Sequence, residues 1–418
     1  MTPTLAPRLD SRSPGTSASS SRGAPLTVLL VHNFYQKQGG EDGVFEREGG
    51  MLRENGNRVL EYTLHNDDVG DLGKLSLLKR TLWSDESYRR VKSIVEDENV
   101  DVVHVHNTLP LMSPSVFHGA HDGGAATVHS LHNYRLVCPG NLLFRDGKPC
   151  RDCVGTSLFL PSIAHACYRD SHTATAAVAG TISYHRRKGT WDRAVDRYIA
   201  LSEFAKAIFI EGGLPGDRIA VKHNAPGVES GILSGGRSVL SVGRLATGKG
   251  LGVLLNAWEN APDLPDLVIA GGGPLAPLVE AASRKDSRIQ WLGWQSASEV
   301  DRLMGEAMAL VMPAMSYEGW PLVVIEAMGR GTPIIATDHG VFPEMIEDGV
   351  TGRLFPFGDS AALADSVRKL AEGVRTGQSM REATWATFQR RYAREVNYER
   401  LAQIYRDAIG EFAAARVP

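Results

Sequence analysis

No stretch of the 418 residues is a run of about 18 apolar residues, so nothing in the chain reads as a membrane-spanning helix. A large charge of either sign is also missing. The formal net charge of -3 is small for this length and argues against nucleic acid as the main ligand, which would call for a strongly basic face. The opening residues, MTPTLAPRLDSRSPGTSASSSRG, have the Arg/Ser bias of an organelle transit peptide but not its amphipathic periodicity, and they lack the apolar core of a secretion signal. They carry too little apolar surface to offset the entropy of ordering, so residues 1–24 are expected to be a disordered tail and the protein to be cytoplasmic. Cysteine is scarce too. All four fall in one segment, at Cys138, Cys150, Cys153 and Cys167.

What is present is an ordinary globular composition, 43% apolar and 22% charged, in a chain too long for one core. At about 150 residues per domain, two domains are expected. From Leu26 short apolar runs alternate with longer amphipathic segments, the pattern of a parallel sheet with helical crossovers. Expected strands are LTVLLVHNF, RVLEYT, DVVHVHN, ATVHSLHN, RYIALSEF and IAVKHN in the first half. The Gly/Ser-rich stretch APGVESGILSGGRS then reads as a linker. SVLSVGRL, DLVIAGGG, IQWLGW, MALVMPAM and PIIAT restart the alternation, and a helical region follows Phe357. Two doubly wound α/β domains are expected, at 25–228 and 236–390, with a last helix in 391–418 packing back toward the first. The strands end in polar residues, and open parallel sheets bind ligands beyond those ends, so one crevice between the domains should hold the site.

YEGWPLVVIEAMGRG carries the most chemistry. Pro321 suits the first turn of a helix and Gly331 the position just past its end, giving a helix over Trp320 to Arg330. Glu326 is then a carboxylate in an apolar helix, and Glu318 lies in the loop before it. The amino end of such a helix, at Gly319, Pro321 and Leu322, attracts phosphate, and a carboxylate deeper in can bind a vicinal diol such as ribose. Arg244 and Lys249 follow a strand in SVGRLATGKGL, where a guanidinium and an ammonium can hold a diphosphate as a leaving group. AGGGP, with Gly272, ends the next strand. Singly, a Gly-rich strand end is more often a tight turn and an Arg/Lys pair is usually solvated.

In this order, VGRL…KG, AGGGP, LGW and EGWPLVVIEAMGRGTPIIAT resemble the retaining glycosyltransferases of group 1, family 4, which have the two-domain GT-B fold. The resemblance spans about residues 25 to 415. It implies that Arg244 and Lys249 bind the diphosphate of a nucleotide-sugar, that Glu326 holds the ribose, that Glu318 contacts the donor sugar, and that backbone near Trp294 reads the base.

In the first half, Gly39 and Gly40 allow a substrate to press on backbone, as the family's amino-terminal glycine loop does. Glu41 reads equally as a helix cap. His104, His106, His129 and His132 lie on adjacent expected strands, where core histidines are common. His132, at the polar end of its strand, matches the family's catalytic histidine. Lys222 and Asn224 match the hinge, with His223 in place of the usual proline. The cysteines, with CRDC at 150–153, have the spacing of a structural zinc site; free core thiols are the alternative. A subset of the family has a similar insertion, here 138–167, after LHNYRL. SYHRRKGTWDR is basic with two aromatics: a solvated helix face, or a contact for anionic lipid headgroups on the inner face of a membrane.

The resemblance implies a retaining transferase that needs no metal for chemistry, moving a sugar from a nucleoside-diphosphate donor to a glycan or lipid-linked hydroxyl, in surface polysaccharide synthesis. Two rivals stay open: a nucleotide-sugar 2-epimerase, which should place carboxylates for elimination in the first domain, where none is evident, and a silent nucleotide-sugar-binding subunit.

Overall fold

The computed structural model describes residues 24–36, 39–225, 227, 231–376 and 379–416. The expected tail lies outside them, except residue 24. Strands β1 (Thr27–Phe34), β2 (Arg58–His65), β3 (Val102–Asn107) and β4 (Ala126–Leu131) are followed by a hairpin of β5 (Phe144–Arg145) and β6 (Lys148–Pro149), then by β7 (Arg197–Ala200) and β8 (Ile219–Val221). The second half supplies β9 (Val239–Val242), β10 (Leu267–Ala270), β11 (Ile289–Gly293), β12 (Ala309–Met312), β13 (Ile334–Thr337) and β14 (Gly352–Phe355). Outside the hairpin, the strands form two six-stranded parallel sheets, ordered β2-β1-β3-β4-β7-β8 and β11-β10-β9-β12-β13-β14. The strands read as continuous apolar runs because helices cover both sheet faces; all six residues of β3 are buried. β14 was not among the expected strands, since Gly352 and Arg353 leave only Leu354 and Phe355 as its apolar run.

Strand order reverses between β1 and β3 in the first sheet and between β9 and β12 in the second. At such a switch point the crossovers leave to opposite faces, and a crevice opens beyond the carboxyl ends of the strands. The domains meet across it. Glu344 of the second domain accepts the Glu203 N–H at 2.9 Å and that of Phe204 by a shorter bond, at the start of the Glu203–Glu211 helix. His223 lies flat on Trp320 with ring centroids 4.0 Å apart. That stack occupies the position where the family pattern has proline.

The Arg394–Ala415 helix crosses back to the first domain, seating Leu401, Ile404, Tyr405 and Ala408 against Val28, Leu30, Val128 and Ile199. Truncating buried Leu401 to alanine should cost about 2–5 kcal/mol. Among the described residues no helix is long and apolar enough to cross a membrane.

Candidate functional site

A cavity of about 420 Å³ lies in the crevice. The second domain lines it with Gly243, Arg244 and Lys249 after β9, Pro313 and Ala314 after β12, and the Glu318–Leu322 stretch. Facing them from the first domain are Gly40, Glu41, His132, Leu201 and Asn224. The helix after Glu318 runs Leu322–Gly329 with Pro321 at its N-cap, and Gly331 just beyond has φ +72°. No side chain caps its amino end, so its first N–H groups are free to bind an anion from the crevice.

Glycine lets the loops around this end close up. A Cβ on Gly250 would stand 1.7 Å from the Pro313 carbonyl oxygen, which locks the Lys249 loop onto the segment after β12. Gly271, at φ +145°, would put its Cβ 1.9 Å from the Gly243 oxygen. Gly271 and Gly273 thereby let the second sheet's loops pack on each other, while a Cβ on Gly272 would meet nothing within 4 Å.

Lys249 Nζ donates to Glu318 Oε1 at 2.7 Å. Behind His132 lies a polar core. His106 Nδ1 is 2.9 Å from His132 Nε2, and His104 bonds Tyr405 Oη and Ser130 Oγ, each at 2.8 Å. His129 bonds the Val105 carbonyl at 3.0 Å and belongs to the core. Burial holds His106 and His132 well below the usual imidazole range, so both are neutral at pH 7.

Glu41 is a crevice residue, not a cap. Asp42 does the capping, accepting the Gly39 N–H at 2.8 Å, and Glu41 turns toward Tyr35 Oη (3.2 Å) and Asn133 Nδ2 (3.5 Å). Burial pushes its carboxyl up to about 7, against the pull of the Arg135 guanidinium. Glu41 and His132 line the same cavity, and a carboxyl poised at neutral pH there is a candidate functional group that sequence reading left undecided. Lys222 also differs from a plain hinge residue: it is buried and ion-paired to Glu48.

Four of the expected donor residues, Gly39, Gly272, Trp294 and Glu326, do not line the cavity. Trp294 is 79% exposed. The Glu326 carboxyl, raised by burial, faces Arg47 of the first domain and the Gly227 N–H. Arg47 Nε and Nη2 are buried without a hydrogen-bond partner.

The four cysteines are free thiols around one separate cavity of about 330 Å³, which Thr247 also lines. Backbone N–H groups of Leu143, Asn141 and Gly140 turn toward the Cys138 sulfur, and burial raises the thiols of Cys138, Cys153 and Cys167. The donor set suits Zn²⁺, but no three of the sulfurs lie within 4.8 Å of one another, a spacing met among the described residues by Glu48, His104 and His106.

Family models for "Glycosyltransferase Family 4" and "Glycosyl transferases group 1" match residues 49–226 and 236–373. The amylovoran biosynthesis glycosyltransferase AmsK of Erwinia amylovora is 31% identical over 177 residues, 40% of this chain and 44% of that protein. A phosphatidyl-myo-inositol mannosyltransferase of Mycobacterium leprae is 30% identical over 210 residues, 47% of this chain and 55% of that one. The chain thus spans about half the length of the curated relatives it matches. Among solved structures, sucrose-phosphate synthase of Thermosynechococcus elongatus superposes with TM-score 0.67 at 17% identity, covering 93% of this chain and 100% of that one. Anabaena HepE in complex with UDP superposes with TM-score 0.61 at 16% identity, covering 90% and 99%. Two parallel-sheet domains around one crevice, both matched by family models and superposing on glycosyltransferases over nearly their whole length, place the chain in the group 1, family 4 glycosyltransferases with the GT-B fold.

Proposed function

We propose that the protein transfers a sugar, with retention, from a nucleoside-diphosphate sugar to a hydroxyl of a glycan or lipid-linked acceptor in surface polysaccharide assembly. One observation carries this reading. Arg244, Lys249 and an uncapped helix amino end converge at the switch point of the second sheet, opposite Gly40, Glu41 and His132 of the first domain. Two cations and a helix dipole can stabilise a departing diphosphate, so that no side-chain nucleophile is needed. Glu318 and His132 are the groups offered to sugar hydroxyls, and the departing phosphate itself can take the acceptor proton. That HepE was solved with UDP, and that AmsK is named for amylovoran biosynthesis, supports a nucleotide donor and a polysaccharide product.

Exposed Leu75, Leu78 and Lys79 on the Lys74–Leu82 helix adjoin the His172–Lys188 helix, which exposes Tyr184, Arg187 and Lys188. Apolar side chains among cations suit an anionic bilayer, and the reading places the enzyme peripherally on the inner membrane face. A structural Zn²⁺ on Cys138, Cys150, Cys153 and Cys167 belongs to the same proposal, with no part in the chemistry.

Glu41 gives the epimerase rival its support, because it is a first-domain carboxyl able to exchange protons at neutral pH. Calorimetry with UDP, GDP and ADP, followed by product analysis with the matching nucleotide-sugars, decides. Binding of one nucleotide that is lost in Arg244→Ala, with sugar transferred to an acceptor, supports the proposal. An epimerised sugar with no transfer favours the rival, and binding without turnover favours a silent subunit.

A further inference from the structure

Three imidazoles run from the core of the first domain to the crevice. His104 and His106 have ring centroids 4.3 Å apart, and His106 and His132 stack at 5.1 Å. Beneath them Glu48 and Lys222 form an ion pair, each with its side chain 1% exposed. One Glu48 oxygen takes the Lys222 ammonium. The other, Oε2, has no hydrogen bond and lies 3.6 Å from His106 Nε2, which has none either.

The Glu48, His104, His106 group has the spacing of a metal site, but two observations speak against one. The Lys222 ammonium already stands against Glu48, and both His104 nitrogens are bonded, to Tyr405 and Ser130. The group is better explained as a device that fixes proton positions.

Each neutral imidazole has one N–H and one lone pair, and the 2.9 Å contact between His106 Nδ1 and His132 Nε2 needs one of each. A bare His106 Nε2 would set its lone pair against the Glu48 carboxylate in a buried, weakly screened place. The proton therefore belongs on His106 Nε2. His106 Nδ1 then accepts, His132 Nε2 donates, and the lone pair of His132 is left on Nδ1, a buried nitrogen with no partner in the chain. His32, the other imidazole near His106, is held by Asp42 at 2.7 Å and does not compete.

We propose that Glu48, its charge balanced by Lys222, sets the tautomer of His106 and through it that of His132, whose one unbonded nitrogen, Nδ1, is thereby fixed as a hydrogen-bond acceptor for a sugar hydroxyl that reaches it. Glu48, Lys222 and His106 are positioning residues, and His132 alone touches substrate. The ligand class rests on the glycosyltransferase reading; the tautomer does not. His132 as an acceptor selects a hydroxyl at that point over a carbonyl or an ether oxygen, which could only accept.

The test is ¹⁵N NMR of the full chain labelled on its histidine rings. Wild-type His132 is expected as the Nε2–H tautomer. Because Glu48→Gln alone leaves a buried ammonium unpaired, the variants are the neutral pair Glu48→Gln/Lys222→Met and, separately, His106→Phe, which keeps a ring but removes the acceptor. Each is expected to release His132 into a tautomer mixture. Turnover of the nucleotide-sugar should fall about 10- to 100-fold, as when partners of a functional histidine are lost. Affinity for the bare nucleoside diphosphate should stay within about twofold of wild type, since a general structural defect would lower both. A wild-type His132 carrying its proton on Nδ1, or a folded variant with the tautomer unchanged, overturns the proposal. If no nucleoside diphosphate binds wild type, the glycosyltransferase reading fails instead, and the spectrum still decides the tautomer.

Discussion

Lys249 and Glu318 are bonded to each other, Nζ to Oε1 at 2.7 Å, although the proposed function gives the cation to phosphate and the carboxylate to sugar. A nucleotide-sugar must therefore exchange one ion pair for two contacts, lysine to diphosphate and glutamate to sugar hydroxyl. Lys249 is 41% exposed, so the pair itself is worth no more than about 1 kcal/mol. Glu318→Gln should tighten binding of the bare nucleoside diphosphate by about two- to fivefold, because the ammonium loses its competitor. The same change should lower turnover at least about 100-fold. Calorimetry and steady-state rates on one preparation check both halves; weaker diphosphate binding would show that Glu318 does not compete for Lys249.

Glu41 titrates from about 7 in the fold instead of an ordinary 4.5. Between those values the folded chain keeps a proton that the unfolded chain has lost, so at this residue stability falls as pH rises through the window. Glu41→Gln should be more stable than wild type at pH 8 and indistinguishable at pH 4, as read from Tm. If the ionised form serves the reaction, wild-type kcat/KM rises through about pH 7 and the variant's profile is flat there. A variant less stable than wild type at pH 8 would contradict the buried-carboxyl account.

The histidines act in the opposite direction. Burial lowers His104, His118, His129, His185 and His223 each from 6.5 to about 4, and holds His106 and His132 well below 6.5. Below 6.5 the unfolded chain takes up protons that the folded chain refuses, so their contribution is present above that pH and lost as pH falls toward 4. Seven such groups outweigh one Glu41. Tm should drop steeply between pH 6.5 and 4.5, and a flat profile there would mean that these rings are hydrated and titrate normally.

How much of this could be read in advance depended on distance along the chain. The helix over Leu322–Gly329 was legible because Pro321 and Gly331 are local signals, and the strands because apolar runs are local too. Glu41 was ambiguous because it and Asp42 are adjacent carboxylates about 100° apart on a helix start, and only the fold shows which one turns back to Gly39. The Lys222–Glu48 pair joins residues 174 positions apart, and the Arg47 that faces Glu326 belongs to the other domain. Nor could the strand ends show that Gly271 abuts Gly243. The Lys222–Glu48, Arg47–Glu326 and Gly271–Gly243 approaches are long-range contacts that no local pattern encodes.

The cysteine segment supplies the last prediction. Seven of the nine non-glycine residues with positive φ among the described residues lie between Asn141 and Asp170, although its regular elements are only the β5–β6 hairpin and a five-residue helix. So much left-handed backbone persists only where something over-determines it, and the small cluster around Phe159 is modest support. Zn²⁺ on four thiolates would supply that constraint, drawing together sulfurs that now share one cavity. The segment also touches the donor side: a Cβ on Gly248, beside Lys249, would meet Phe144 at 3.5 Å. Purified protein should hold about one zinc per chain, released by chelator or by acid as thiolates take up protons. Loss of metal should lower Tm and weaken nucleoside-diphosphate binding severalfold through the Phe144 contact, while leaving the family chemistry otherwise intact. Metal-free protein with full stability and four titratable thiols would show instead that these are core cysteines.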